Sequence, residues 1–152
     1  MPTDDRARHP QPLLHLPGFA LAHLGRLTRS AIRRVFTDGG MSVSAHLVLV
    51  CLDEYDGLSQ RELADYLAMD RSDLGKILDA LETSGAVRRG PDPNDRRRHR
   101  LSLTAEGSET VRQGTELMKL ATDEILAGLT PGDRADLHRL ILLALEPPNS
   151  AE

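Results

Sequence analysis

Between residues 18 and 36 apolar positions return every third or fourth residue, with Leu21, Leu24, Thr28, Ala31 or Ile32, and Val35 on one stripe and Arg26, Arg29 and Arg33 opposite. That period predicts an amphipathic helix, which Asp38-Gly39-Gly40 should end. A second, strongly apolar helix is expected over residues 44–54, closing at Tyr55-Asp56-Gly57. Ser59-Gln60-Arg61-Glu62 is a capping box, opening a short helix that turns Leu63, Ala64 and Leu67 inward. Asp70 can cap the next helix, and Asp73 suits the positive end of its dipole. Stepping about 100° per residue from Arg71 places Leu74, Ile77, Leu78 and Leu81 on one side. Ser72, Gly75, Lys76, Asp79 and Thr83 fall on the other. After Ser84-Gly85 the period shortens to two: residues 87–89 and 99–103 read as strands, with Leu101 and Leu103 on one face and Pro91, Pro93 and Asn94 in the turn. Thr104 caps a long helix to about residue 128, carrying Val111, Leu117, Met118, Ala121, Ile125 and Leu126. Thr130-Pro131-Gly132-Asp133 opens another, densely apolar from 137 to 145.

Two short helices about a tight turn, followed by a hairpin, have the order of a winged helix-turn-helix. The fold class expected is therefore mainly α with a small β-wing. Residues 41–103 form the winged helix-turn-helix lobe, and residues 17–40 with 104–146 form a helical dimerisation region. Residues 1–16 read as an N-terminal arm and 147–152 as a flexible tail. The exposed side of the second short helix is the face for a major groove, with Arg71, Ser72, Asp73, Gly75 and Lys76 as candidate contacts. The last helix is more apolar than one small domain can hide, and together with the 18–36 helix it can bury its stripe across a two-fold axis, giving a homodimer.

Charge sharpens this picture. The chain is acidic overall, at −4, yet residues 88–100 hold six Arg against two Asp, while residues 41–87 hold nine acidic residues against three basic. A basic strip on an acidic body repels a duplex everywhere except at the intended contact. Arg96, Arg97 and Arg98 at the hairpin tip can enter a narrow minor groove or fork onto phosphate. The acids of the recognition helix admit two roles: Asp70 and Asp73 cap while Asp79 braces an arginine of the wing, or one of them accepts from a cytosine amino group.

Several function classes are excluded or disfavoured. No phosphate-binding glycine loop, His-Glu-x-x-His pair or Gly-x-Ser-x-Gly elbow is present, so no enzyme is indicated and no cofactor or metal is expected. The longest apolar run, residues 47–52, is far short of a membrane span, and the N-terminus lacks the order of a signal peptide. A single cysteine with no partner fits a reducing, cytoplasmic setting.

The residues resemble a known family in five places, kept in order: Leu58-Ser59-Gln60-Arg61-Glu62-Leu63-Ala64, Leu78-Asp79-Ala80-Leu81-Glu82, Gly85-Ala86-Val87, Asp95-Arg96-Arg97 and Leu103-Thr104-Ala105-Glu106-Gly107. Each is similar to a signature of the MarR-type (multiple antibiotic resistance regulator) transcription factors, and the likeness covers roughly residues 18–145. It implies a triangular homodimer acting on double-stranded DNA. It also implies that Asp95 orients an arginine in the wing and that Arg97 reaches the minor groove. Asp73 and Gly75 depart from the Ser or Thr commoner at those positions. The resemblance further implies release of DNA by a small aromatic anion in the cleft between the dimer helices and the DNA-binding lobe.

Such a ligand needs a cation or donor in an apolar cleft. His15, His23, Arg26 and His46 are the candidates, with Met118 as a wall; each can equally be a packed or surface residue. Two other readings stay open. Cys51, with Asp53 and Glu54 adjacent, is either a buried small hydrophobe or the thiol of a redox-responsive regulator. The winged helix could also serve protein contacts rather than a specific operator.

Overall fold

The computed structural model describes residues 11–92 and 99–146. Its elements are α1 (Gln11–Leu14), α2 (Pro17–Asp38), α3 (Val43–Glu54), α4 (Gln60–Tyr66), α5 (Arg71–Thr83), β1 (Val87–Pro91), β2 (His99–Leu103), α6 (Ala105–Ile125) and α7 (Pro131–Leu145). Every long segment expected from periodicity is present, with helix ends moved by a few residues. A four-residue helical turn, α1, lies within the stretch read as an arm. Residues up to Ala31 together with those from Ala121 form one compact unit, and Ile32–Leu120 form another.

The Ile32–Leu120 unit holds the main core. Val48, Leu49 and Leu52 of α3, Leu63 of α4, Leu74 and Leu78 of α5, and Leu101 of β2 are all buried together. Local chemistry sets the order of these elements. Ser59 accepts from the Glu62 amide at 3.3 Å while Glu62 accepts from the Ser59 amide at 2.8 Å, so two helix-end donors are satisfied reciprocally. Asp70 accepts from the amides of Ser72 and Asp73 at 2.8 and 3.2 Å and so starts α5. Between α4 and α5 the chain reverses through Ala68, whose φ of 47° is left-handed. That conformation costs an L-residue about 1–2 kcal/mol, and the burial of Leu63, Ala64 and Leu74 on either side holds it in place.

β1 and β2 pair antiparallel, with Val87 opposite Leu103 and Arg89 opposite Leu101. A third segment joins β2: the Gly57 amide donates to the Leu101 carbonyl at 3.2 Å, and the Leu101 amide donates to the Leu58 carbonyl at 2.9 Å. Arg100 lies across Gly57 and pairs with the Asp92 carboxylate at 3.0 Å.

One junction joins the end of the sheet to α5 and α6. The Thr104 hydroxyl donates to the carbonyls of Gly85 at 2.6 Å and Ala86 at 3.1 Å, and it accepts from the Gly107 amide at 3.0 Å. Gly107 sits so close that an added Cβ would lie 2.2 Å from the Ala86 carbonyl oxygen. This gives the Leu103-Thr104-x-x-Gly107 pattern a steric reason. Elsewhere in the unit, the His46 ring is buried against Phe36, with ring centroids 5.4 Å apart, and against Gly114, where a Cβ would fall 2.2 Å from Nδ1. His46 Nδ1 has no hydrogen-bond partner among the described residues, and burial lowers its pKa from the usual 6.5.

The other unit is sparsely buried. Arg134 of α7 pairs with Asp123 at 2.6 Å, and a Thr130–Asp133 capping box with Pro131 at the first turn starts the helix. Leu140, Leu142, Leu143 and Leu145 of α7 are nevertheless exposed, Leu145 by 74%.

Two outcomes follow from this packing. Gly107→Ala should lower stability by about 2 kcal/mol or more, because the colliding atom is backbone and cannot swing away; urea denaturation measures it. Because His46 has a depressed folded-state pKa, the unfolded chain takes up its proton first. Stability should therefore be full above pH 6.5 and fall as pH drops from there toward the folded pKa. In His46→Leu the acid-side loss, followed by thermal midpoint against pH, should be smaller.

Candidate nucleic-acid interface

Helix α5 turns Leu74, Leu78 and Leu81 into the core and leaves Arg71, Ser72, Asp73 and Lys76 exposed. Arg71 has no carboxylate partner among the described residues, so its guanidinium is available at the start of the helix. Lys76 extends beside Asp73, Nζ to Oδ1 3.0 Å, one turn back on the same helix. Gly75 is partly covered: a Cβ there would stand 3.4 Å from the Gln60 amide nitrogen, which in turn donates to the Arg71 carbonyl at 3.5 Å. A Cβ there would make only an ordinary van der Waals contact with that side chain, so the packing of α4 does not require a glycine.

The acids of α5 have structural partners. Asp70 is the cap. Asp79 and Glu82, a turn apart, both accept from Arg89 of β1, at 2.8 Å each. Arg89 occupies a core-facing position of the strand, opposite Leu101, and its half-buried guanidinium is spent on these two carboxylates. The clamp fastens the wing strand to the recognition helix and cancels negative charge that would otherwise face phosphate. The sequence had offered an arginine brace for Asp79; which arginine supplies it depends on strand register. Its neighbour Arg88 points the other way on β1, is exposed, and has no carboxylate partner among the described residues. The wing-tip candidates Asp95, Arg96, Arg97 and Arg98 lie outside the described residues.

Beside α5 opens a cleft of about 420 Å³. Met41 and Ser42 of the α2–α3 turn, Ala45 and Leu49 of α3, and Ile77 and Ala80 of α5 form most of its wall. Thr110 of α6 closes one side, and Lys76 is the single charged residue lining it among the described residues. These residues come from three separate stretches of chain, and no local motif marks them.

The five effector candidates line other surroundings. His15 is exposed, and His23 stacks on Phe19 at 6.4 Å and meets Arg26, Nδ1 to Nη2 3.1 Å. His46 is packed against Phe36 as described, and Met118 is half-buried on α6. Among them His23 and Arg26 are brought together. Cys51 is buried, and its thiol pKa is raised by burial and by the nearby Glu54 charge, which disfavours the reactive thiolate. Among the described residues no group of three His, Cys, Asp or Glu could hold a metal ion, and no single helix is long and apolar enough to cross a membrane.

Known proteins share this arrangement. Residues 41–99 match the model of the MarR family. The chain is 28% identical over 113 residues to the putative transcriptional regulatory protein for the hcr operon of Thauera aromatica, covering 74% of this chain and 68% of that one. It is 25% identical over 124 residues to the HTH-type transcriptional repressor Rv2887 of Mycobacterium tuberculosis, covering 82% and 89%. Among solved structures, wild-type MarR from E. coli in its apo form superposes with a TM-score of 0.74 at 23% identity, over 86% of this chain and 98% of that one. Rv2887 in complex with DNA gives 0.75 at 23% identity, over 86% and 98%. Rv2887 in complex with p-aminosalicylic acid gives 0.71 at 23% identity, over 86% and 99%. The matched segment runs from the α2–α3 turn into β2, and so contains both short helices and the first wing strand. The chain belongs to the MarR family of winged-helix DNA-binding transcriptional regulators.

Proposed function

We propose that this chain acts in the cytoplasm as a homodimeric repressor that reads a pseudo-palindromic operator and leaves it when a small aromatic acid binds. The observation that carries the reading is the uncovered apolar surface of α7, where Leu140, Ile141, Leu142, Leu143 and Leu145 are exposed by 39–74%. A surface of that kind asks for a partner, and a second copy supplies the same stripe in an isologous contact. On this reading residues 17–40 and 104–146 are the dimerisation region and residues 41–103 the DNA-binding lobe. Dimerisation sets two recognition helices about one turn of duplex apart, roughly 10 base pairs, which is what makes a two-fold-related site readable.

Within each lobe Arg71, Ser72 and Lys76 face the major groove while Arg96, Arg97 and Arg98, oriented by Asp95, supply attraction from the wing. Asp73 and Gly75 complete the candidate contacts near the start of the helix. Repression and release are supported by the relative Rv2887, a repressor solved both with DNA and with p-aminosalicylic acid. The cleft beside α5 is of a size suited to such a molecule.

Selection of bound fragments from random duplexes tests the whole reading: a two-fold-related motif should be enriched, and failure to enrich one would sink the specific-operator proposal. With about eight phosphates neutralised per dimer, log affinity should fall with log salt at a slope of about −7. Arg97→Ala should make that slope shallower by about one per subunit; an unchanged slope removes Arg97 from the contacts. The double change Leu142→Asp with Leu145→Asp should give monomers by light scattering. Operator affinity should then drop by about a hundredfold or more as the second half-site contact ceases to be intramolecular.

A further inference from the structure

We infer that Gln60, carried on α4 and not on the recognition helix, reads an adenine in each half of the operator, its carboxamide lying on the flank of α5 that the bare Gly75 leaves open. This rests on the operator reading above and adds a base-reading residue from outside α5.

The placement follows from helix rotation and from one close approach. At about 100° per residue, Gly75 stands about 60° from Ser72 toward Arg71 and Glu82, while Lys76 stands about 40° to the other side. The two residues thus mark opposite flanks of the reading face, and α4 meets the Gly75 flank. There Gln60 Nε2 lies 3.4 Å from where a Cβ of residue 75 would stand, and among the described residues no other element comes within 4 Å of that point. The carboxamide therefore occupies ground that residue 75 would cover with a longer side chain of its own. Its hold there is light: Nε2 donates to the Arg71 carbonyl at 3.5 Å, the long end of the hydrogen-bond range. Capping of α4 does not need it, since Ser59 and Glu62 complete that box between them.

The chemistry left over on the amide selects the base. One Nε2 hydrogen goes to the Arg71 carbonyl, while Oε1 and the second N–H have no partner among the described residues. The group thus offers one donor and one acceptor side by side. Adenine presents the complement on its major-groove edge, N7 as acceptor and N6 as donor, whereas guanine would set its O6 against Oε1. The carboxylates that share this flank, Asp79 and Glu82, are held by Arg89, so they do not compete for the amide. Being neutral, Gln60 adds discrimination without adding general attraction for phosphate.

The test uses the full chain, as wild type and as Gln60→Met, with selection from random duplexes followed by affinity measurements on the selected site. Wild type should enrich a two-fold-related motif with an adenine in each half that Gln60→Met no longer selects. Replacing that adenine by 7-deazaadenine, which lacks the N7 acceptor, should weaken wild type by about tenfold and leave Gln60→Met unchanged. The thermal midpoints of the two proteins should match, since the side chain is partly exposed and lies outside the core. The same motif from both proteins would overturn the inference and leave the operator reading standing. So would a wild type indifferent to 7-deazaadenine at every selected adenine. Loss of the adenine together with a lowered midpoint would make Gln60 a support of the fold, which also overturns its reading role. Failure of wild type to enrich any two-fold-related motif would remove the operator reading itself, and this inference with it.

Discussion

The Thr104 hydroxyl is the point on which the DNA-binding lobe is assembled. It reaches two successive carbonyls, those of Gly85 and Ala86, just where the recognition helix has ended and the first wing strand begins, and it receives the Gly107 amide from the helix that follows the wing. One small side chain thus connects three elements that have little else in common. The bare glycine at 107 allows the approach, since the Ala86 carbonyl occupies the space a side chain would need. With this junction in place, the strands return over the core at Val87 and Leu101, and Arg89 arrives beside Asp79 and Glu82. Were the junction loose, the clamp would have no fixed register and the wing no fixed angle.

Much of this was legible in the sequence, for reasons that can be named. The two capping boxes, the Asp70 cap and the leucine stripe of the recognition helix depend on residues a few positions apart, so spacing alone reveals them. The hairpin was legible for the same reason, through period two and its prolines. What escaped depends on distance along the chain. The steric need for Gly107 comes from a carbonyl twenty-one residues earlier; a wing arginine on Asp79 was expected, but that Arg89 supplies it and also takes Glu82 follows only once the strands have paired. A charged residue at an inward strand position was the available signal that a carboxylate must meet it. The cleft beside α5 is assembled from three stretches, which no motif joins. His46 is a further case: the sequence marks it only as a candidate donor, and the structure packs it onto Phe36 and Gly114 with Nδ1 unpartnered among the described residues.

Charge is arranged by the same logic. Burial assigns the leucines of α5 to the core, and capping and clamping assign most of its acids, so that few groups on its outward face remain to discriminate between sequences. Lys76 pairs with Asp73 and also borders the cleft.

The Arg89 clamp has a consequence for how such a protein would search a genome. Because a wing guanidinium is committed to Asp79 and Glu82, the recognition helix presents a nearly balanced surface instead of a basic one, and on the proposed reading much of the attraction for random duplex falls to the wing. Weak holding means short dwell times at wrong sites, and movement by repeated dissociation and capture. An arrangement of this kind favours rapid sampling over lingering, with long residence confined to sites where both half-sites are matched.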